Sequence, residues 1–232
     1  PYAGFLHRER GLAAAAAAMD AYRSEGRPHF EVKASGDAAT DVALVRGLAE
    51  LLLPGERLKV DANGGWSVAD AAHVMSAAAE HDVWFEQPCA TYDDCRRLRA
   101  RSERPIILDE CVVDMATLLR GIVDGVADAV NLKVARVGGL GPARAMRDVC
   151  IAHGIPLIVQ CVGGSELTAA AIAHLAHGVP PHLLLSVWDG STMVTTRVAD
   201  GHHSTGWSMH ASSAPGLGCT PIPAVLGRPI AS

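Results

Sequence analysis

The sequence predicts an α/β fold, a (β/α)8-type barrel, on three observations. Strand-like and helix-like segments alternate eight times between Pro1 and Trp188, the pattern of a parallel sheet wrapped by helices. Hydrophobic residues make up 49% of the 232 residues but aromatics only 4%. The core is therefore Ala, Val, Leu and Ile, which suits helices packed closely on a parallel sheet. Lastly, five consecutive strands each end in a charged residue. A doubly wound open sheet is the alternative, weakened because no G-x-G-x-x-G follows a first strand.

Pro1 to Leu6 reads as a short strand and Leu12 to Arg23 as an alanine-rich helix, stopped at Ser24-Glu25-Gly26. His29 to Lys33 is the second strand. Thr40 is a plausible N-cap for a helix from Asp41 to Leu53, ended by Pro54-Gly55. Leu58 to Asp61 is the third strand, and Ser67 caps a helix running to about Glu80 with Val68, Ala71, Ala72 and Met75 on one face. Val83 to Glu86 is the fourth strand, followed by a helix that Thr91 opens and that ends near Arg101. Pro105 to Asp109 is the fifth, then a helix over Met115 to Ile122. Ala129 to Lys133 is the sixth. Pro142 sits at the next helix start, where its missing N–H costs nothing. Pro156 to Gln160 is the seventh strand, Glu166 to Ala176 its helix, and Leu183 to Trp188 the eighth strand. From Asp189 onward the text turns Gly-, Ser- and Pro-rich, and the tail Pro215 to Ser232 reads as irregular. The expected division is a catalytic barrel over 1–211 and a C-terminal tail over 212–232.

Composition excludes several classes. Net charge is −5 with no basic stripe, which argues against nucleic acid as a partner. No apolar run reaches the roughly 18 residues of a membrane span, and no signal peptide is visible. The six cysteines are scattered without a C-x-x-C pair. They read as reduced thiols of a cytoplasmic protein, not as a zinc site. The chain starts at Pro1 without a methionine, so a fragment or a trimmed chain is expected.

The strand ends carry the chemistry. They are Lys33, Asp61, Glu86, Asp109 and Lys133, each one βα unit from the next. In a barrel these tips share one rim, where barrel enzymes keep their active sites. Any one of them alone reads as a turn residue or a solvated stem; the signal is the common register. Three carboxylates with no histidine or thiolate favour a hard cation, Mg²⁺ above all. A lysine near such a cation has its ammonium disfavoured and can act as a base. Two lysines flanking a metal-bound carboxylate substrate can take the α-proton from one face and deliver one to the other, through an enediolate that the metal stabilises.

The runs D-A-N-G-G-W (61–66), F-E-Q-P (85–88), L-D-E (108–110) and N-L-K-V-A-R-V-G-G (131–139) together resemble the enolase superfamily, in its mandelate racemase and muconate lactonizing enzyme group. The resemblance covers nearly the whole chain. It implies a modified (β/α)7β barrel, Mg²⁺ on Asp61, Glu86 and Asp109, and Lys33 and Lys133 as acid/base groups, the superfamily's established arrangement. E-Q-P-C-A-T-Y-D-D-C (86–95) and A-P-G-L-G (214–218) are similar to hydroxyproline-betaine epimerases and cis-3-hydroxyproline dehydratases. In that group Asp189 would face the substrate's amino or ammonium group.

Three departures stand out. The family's K-x-K on the second strand begins here with Glu31. After the seventh strand, Gln160-Cys161-Val162-Gly163-Gly164-Ser165 lacks the acid and tryptophan that would hold a betaine. The family's N-terminal capping domain is expected to be missing from this sequence, and the tail Pro215 to Ile230 resembles the segment that returns to it. Asn63 and Gln160 are further candidate substrate contacts. Asn63 and Asn131 are candidates to orient the ligands or Lys133, and Glu110 to pair with a catalytic lysine. His202-His203 is discounted as a metal pair.

The expected reaction is Mg²⁺-dependent abstraction of the proton α to the carboxylate of a small amino-acid-like or proline-like substrate, as a racemase or epimerase. A dehydratase using the same site is the alternative. A Schiff-base aldolase barrel and a fragment inactive without its cap are the others. The full-length protein is expected to be a homo-oligomer.

Overall fold

The computed structural model describes residues 2–78 and 80–226. The chain divides into two compact units, Ala3–Val130 and Asn131 onward together with Tyr2, and the division falls inside a strand.

The first unit holds β1 (Gly4–Leu6), a 3₁₀ turn, α1 (Gly11–Ser24), β2 (His29–Lys33), α2 (Ala38–Ala49), β3 (Arg57–Asp61), α3 (Val68–Ser76), β4 (Val83–Glu86), α4 (Tyr92–Arg99), β5 (Ile106–Leu108), α5 (Met115–Val123) and the start of β6 (Ala129–Lys133). Its strands pair in chain order, all parallel. Parallel strands covered by crossover helices are apolar on both faces. Ile106–Leu108 and the residues Phe30, Leu58, Val60 and Phe85 are accordingly buried, with Met19, Val45, Leu48 and Leu98 from the helices.

The second unit holds the end of β6, α6 (Leu140–Ala152), β7 (Leu157–Gln160), α7 (Glu166–His177) and β8 (Leu184–Val187). β7 and β8 are parallel with an irregularity after Leu157. Eight parallel strands in chain order thus form the α/β sheet.

Three expectations are corrected. Thr40 does not cap α2. Asp37 does, accepting a hydrogen bond from the Thr40 backbone N–H at 2.9 Å, and Thr40 lies inside the helix. Asp109 lies one residue past β5 instead of ending it. The Gly-, Ser- and Pro-rich text after Asp189 holds β9 (Ala199–Asp200), β10 (His203–Thr205) and β11 (Ser208–His210), and the tail from Pro215 is not irregular as far as residue 226, since it holds β12 (Thr220–Pro221) and α8 (Pro223–Leu226). β12 pairs with β9, and the Leu217 carbonyl meets His174 Nε2 on α7 at 3.2 Å. Residues 212–226 therefore pack within the second unit. The final residues of the expected tail, 227–232, lie outside the described residues. All six cysteines are free. No helix among the described residues is long and apolar enough to cross a membrane.

Candidate active site

Alternate strand residues share a face. Glu31 and Lys33 therefore point to one side of β2, and Lys59 and Asp61 to one side of β3. Parallel register sets Glu31 beside Lys59, Lys33 beside Asp61, and Asp61 beside Glu86 at the end of β4. The charges meet accordingly. Lys33 pairs with Asp61. Lys59 pairs with Glu86 and, at 3.0 Å, with Glu31. Carboxylate oxygens of Glu31, Asp61 and Glu86 lie within 4.8 Å of one another.

This cluster is out of water, with Asp61 2% and Glu86 1% exposed. Burial, reinforced by the Glu86 charge, pushes the Asp61 carboxyl up to about 6 against the pull of Lys33 and Lys59. Burial alone would lower Lys33, but the Asp61 carboxylate beside it outweighs that and raises it. Lys59 is likewise pulled down by burial and raised on balance by Glu31, Glu86 and Asp61.

Asn63 organises the turn after β3. Its backbone, at φ 47°, is in the left-handed region, and its N–H donates to Asp61 Oδ1 at 2.9 Å. Lys33 Nζ donates to Asn63 Oδ1 at 3.1 Å, and Asn63 Nδ2 donates to Glu110 Oε1 at 2.9 Å. Glu110, expected to pair with a catalytic lysine directly, thus reaches Lys33 through Asn63. Trp66 of the same turn donates its ring N–H to buried Asp41 at 2.9 Å, which also accepts from the Ser35 and Gly36 backbones. The loops after β2 and β3 are thereby locked together. Gly64 sits at φ +72°, and an added Cβ there would lie 2.9 Å from Ala90 Cα.

The expected ligand triad is only partly matched by the cluster. Asp61 and Glu86 converge, but the third carboxylate with them is Glu31. Asp109 is fully buried and is held through its backbone N–H, which donates to Gln87 Oε1 at 2.9 Å.

In the second unit Lys133 ends β6. Asn131 Nδ2 donates to Gln160 Oε1 at 3.0 Å, so these two amides meet each other. Asp189, the expected ammonium partner, is buried and engaged on both oxygens. Oδ1 accepts from the Ser191 N–H at 3.0 Å and from its hydroxyl; Oδ2 meets His202 Nε2 at 2.7 Å and Ser204 Oγ at 2.8 Å. Burial would raise this carboxyl, but the bonds from Ser191, His202 and Ser204 prevail and hold it below the usual carboxylate range. Four accepted bonds use the capacity of a carboxylate, which does not match a free cation partner. His202 and His203 diverge: the first is buried against Asp189, while the second is exposed on β10.

Sequence reasoning missed Lys59 and Gln87 and treated Glu31 only as a departure. The available signal for Lys59 was its spacing, two residues before Asp61 on the same strand face.

The arrangement fits a divalent cation. Buried carboxylates with oxygen donors only, one of them resisting ionisation, are what a hard cation relieves.

Comparisons with known proteins agree with this chemistry. Residues 13–225 match the family described as Enolase C-terminal domain-like, and the chain belongs to that family, within the enolase superfamily. It is 40% identical over 214 residues to the cis-3-hydroxy-L-proline dehydratase of Roseibium aggregatum, covering 92% of this chain and 58% of that protein. It is 32% identical over 212 residues to an N-succinylamino acid racemase of Amycolatopsis sp., covering 88% and 56%. A mandelate racemase/muconate lactonizing enzyme structure from Roseovarius nubinhibens superposes with a TM-score of 0.92 at 33% identity, over 100% of this chain and 64% of that one. An enolase-superfamily member from the same organism, complexed with magnesium, gives 0.88 at 31% identity over 99% and 62%. The chain therefore spans somewhat over half the length of the relatives it matches.

Proposed function

We propose that this chain is the catalytic portion of a Mg²⁺-dependent enzyme whose parallel sheet closes as a barrel and which removes the proton α to a substrate carboxylate. The cluster of Asp61 and Glu86 with paired lysines supports this reading. Asp61 and Glu86, with Asp109 or Glu31 as third carboxylate, would hold the ion. Mg²⁺, when bound, supplies positive charge for the negative charge that develops on the substrate carboxylate.

Lys33 and Lys133 are the proposed acid/base pair. One Nζ takes the α-proton as the C–H bond breaks. In a dehydration the other Nζ gives a proton to the β-hydroxyl, the C–O bond breaks, an α,β double bond forms and water leaves. Asn63 Oδ1 holds Lys33 Nζ in place, with Glu110 fixing the Asn63 amide. The likeness to a cis-3-hydroxy-L-proline dehydratase favours a cyclic 3-hydroxy amino acid as substrate. The likeness to an N-succinylamino acid racemase favours a second reading, in which the other Nζ returns a proton to the α-carbon from the opposite face.

Incubation in D₂O with Mg²⁺ and a panel of hydroxyprolines and N-acyl amino acids, followed by NMR, tests both readings. Dehydration removes the signal of the C–H proton on the hydroxyl-bearing C3; racemisation exchanges the α-proton with the carbon skeleton intact. Exchange that survives EDTA, or that persists in both Lys33→Ala and Lys133→Ala, overturns the proposal. Borohydride trapping of a covalent adduct would instead mark a Schiff-base enzyme.

A further inference from the structure

Gln87 follows Glu86 at the end of β4. It is fully buried, and its backbone sits at φ 37° in the left-handed region. A residue that is not glycine keeps such a conformation only where its surroundings enforce it. Here they do so from three strand ends. The Gln87 N–H donates to the Ile107 carbonyl at 2.8 Å, and its own carbonyl accepts from the Gly64 N–H at 2.7 Å. Its side-chain Oε1 accepts from the Asp109 N–H at 2.9 Å and the Cys111 N–H at 3.3 Å. Its Nε2 donates to the Cys89 carbonyl at 2.9 Å and lies 3.8 Å from Cys95 Sγ.

The carboxamide cannot flip: two N–H groups face its oxygen and a carbonyl faces its nitrogen. All these partners are backbone groups or a buried thiol, so Gln87 spends its hydrogen bonds on the loops and not on a reacting group. Those loops follow Asp61, Glu86 and Asp109.

We propose that Gln87 is a positioning residue, a crossbar that fixes the backbone carrying Asp109 against the tips of β3 and β4 and thereby sets the geometry in which the carboxylates receive a divalent cation. This rests on the metal-dependent reading above. It explains why a buried glutamine in a disfavoured backbone conformation stands directly after a proposed ligand. Without its oxygen, the Asp109 and Cys111 N–H groups would lose the acceptor they share.

The test uses Gln87→Met, which keeps the length and loses every side-chain hydrogen bond, and Gln87→Glu, which keeps the acceptor. Gln87→Gly, which tolerates the positive φ, replaces the methionine variant should that one not fold. Two quantities are measured: amide hydrogen exchange of the metal-free protein, and Mn²⁺ affinity from the loss of the free-ion EPR signal. In Gln87→Met, protection should fall at Asp109 and Cys111 while β3 and β4 stay protected, and Mn²⁺ affinity should drop about 10- to 100-fold, the usual effect of removing support behind a ligand. Gln87→Glu should bind more tightly than Gln87→Met. Unchanged Mn²⁺ affinity in Gln87→Met, or equal weakening in the Met and Glu variants, overturns the positioning role. A parent protein that binds no Mn²⁺ overturns the metal-dependent reading and this proposal with it.

Discussion

The two ends of the same strands treat charge in opposite ways. At the N-terminal ends, Glu56 precedes β3, Asp82 precedes β4 and Asp128 precedes β6, and each carboxylate is matched by an arginine. Arg23 grips Glu56 with two bonds of 2.7 Å, Arg57 meets Asp82 at 3.0 Å, and Arg99 pairs with Asp128. At the C-terminal ends the carboxylates are more deeply buried, crowd one another and are met by Lys33 and Lys59. Arginine stays charged and matches a carboxylate with a rigid fork; lysine is a point charge whose proton can be lost. One end is thus wired for permanent neutrality. The other, on the proposed function, is where a cation and a moving proton would alter the balance.

The contrast breaks most sharply at Asp61. Asp61→Asn keeps the shape and removes one of the crowded charges. Loss of a carboxylate proposed to hold the metal should reduce α-proton exchange by at least about 10³-fold, on the several kcal/mol that such charge stabilisation supplies. The metal-free protein should melt within about 4 °C of the parent, an effect near 1 kcal/mol. Thermal scans and D₂O exchange check both. A collapse in melting temperature would mean that this end too is built for stability.

Glu56→Gln should do the reverse. It removes the buried carboxylate that Arg23 grips, leaving Arg23 the exposed Asp20 at 2.7 Å, and disturbs the bond that Glu56 accepts from the Leu53 N–H. The pair is partly exposed, so the cost falls below that of a fully buried one, at about 2 kcal/mol. That lowers the melting point by about 4–8 °C, with α-proton exchange well below melting within about twofold of the parent.

The effect should also depend on pH. The Arg23 fork holds the Glu56 carboxyl below its ordinary value, against burial. A carboxylate with a lowered folded pKa contributes stability above its unfolded pKa of about 4.3 and loses it as pH falls through the folded value. Urea melts of parent and Glu56→Gln should therefore diverge at pH 7 and converge toward pH 3. A gap that persists at pH 3 would assign the loss to packing instead of charge.

Much of this was legible in the sequence because strand-end charge and helix caps are local signals. β2, β4 and β6 begin and end where their apolar runs and terminal charges imply, and Ser67 and Thr91 are N-caps as read. β9 to β12 were not legible: strands of two or three residues in Gly- and Ser-rich text carry no periodicity. Lys59 was hidden for another reason. Its meaning depends on Glu31 standing beside it across β2 and β3, and strand register is not written in either strand alone. Gln87 depends on a left-handed backbone that no local residue preference announces. Asp189 looked available because its residue type and position were visible, while Ser191, His202 and Ser204, which engage it, come from the turn and strands that follow.

The smallest test concerns the entry to α2, where two residues compete for one role. Thr40 is a good capping residue by type, and from sequence it stands immediately before an acidic, apolar-periodic run. Asp37 takes the cap because the helix starts one turn earlier, at Ala38, and its carboxylate accepts from the Thr40 N–H. The Thr40 side chain, and after it the Thr40 backbone N–H, hold the Asp37 carboxyl below its usual range, and a negative charge at a helix N-terminus is favourable. Asp37→Ala should therefore lower the melting point by about 2–4 °C. Thr40→Ala, which keeps the backbone bond to Asp37 and loses the hydroxyl, should lower the melting point by less than that, since alanine is the better helix former. The reverse order in thermal scans would return the cap to Thr40 and shorten α2 by a turn.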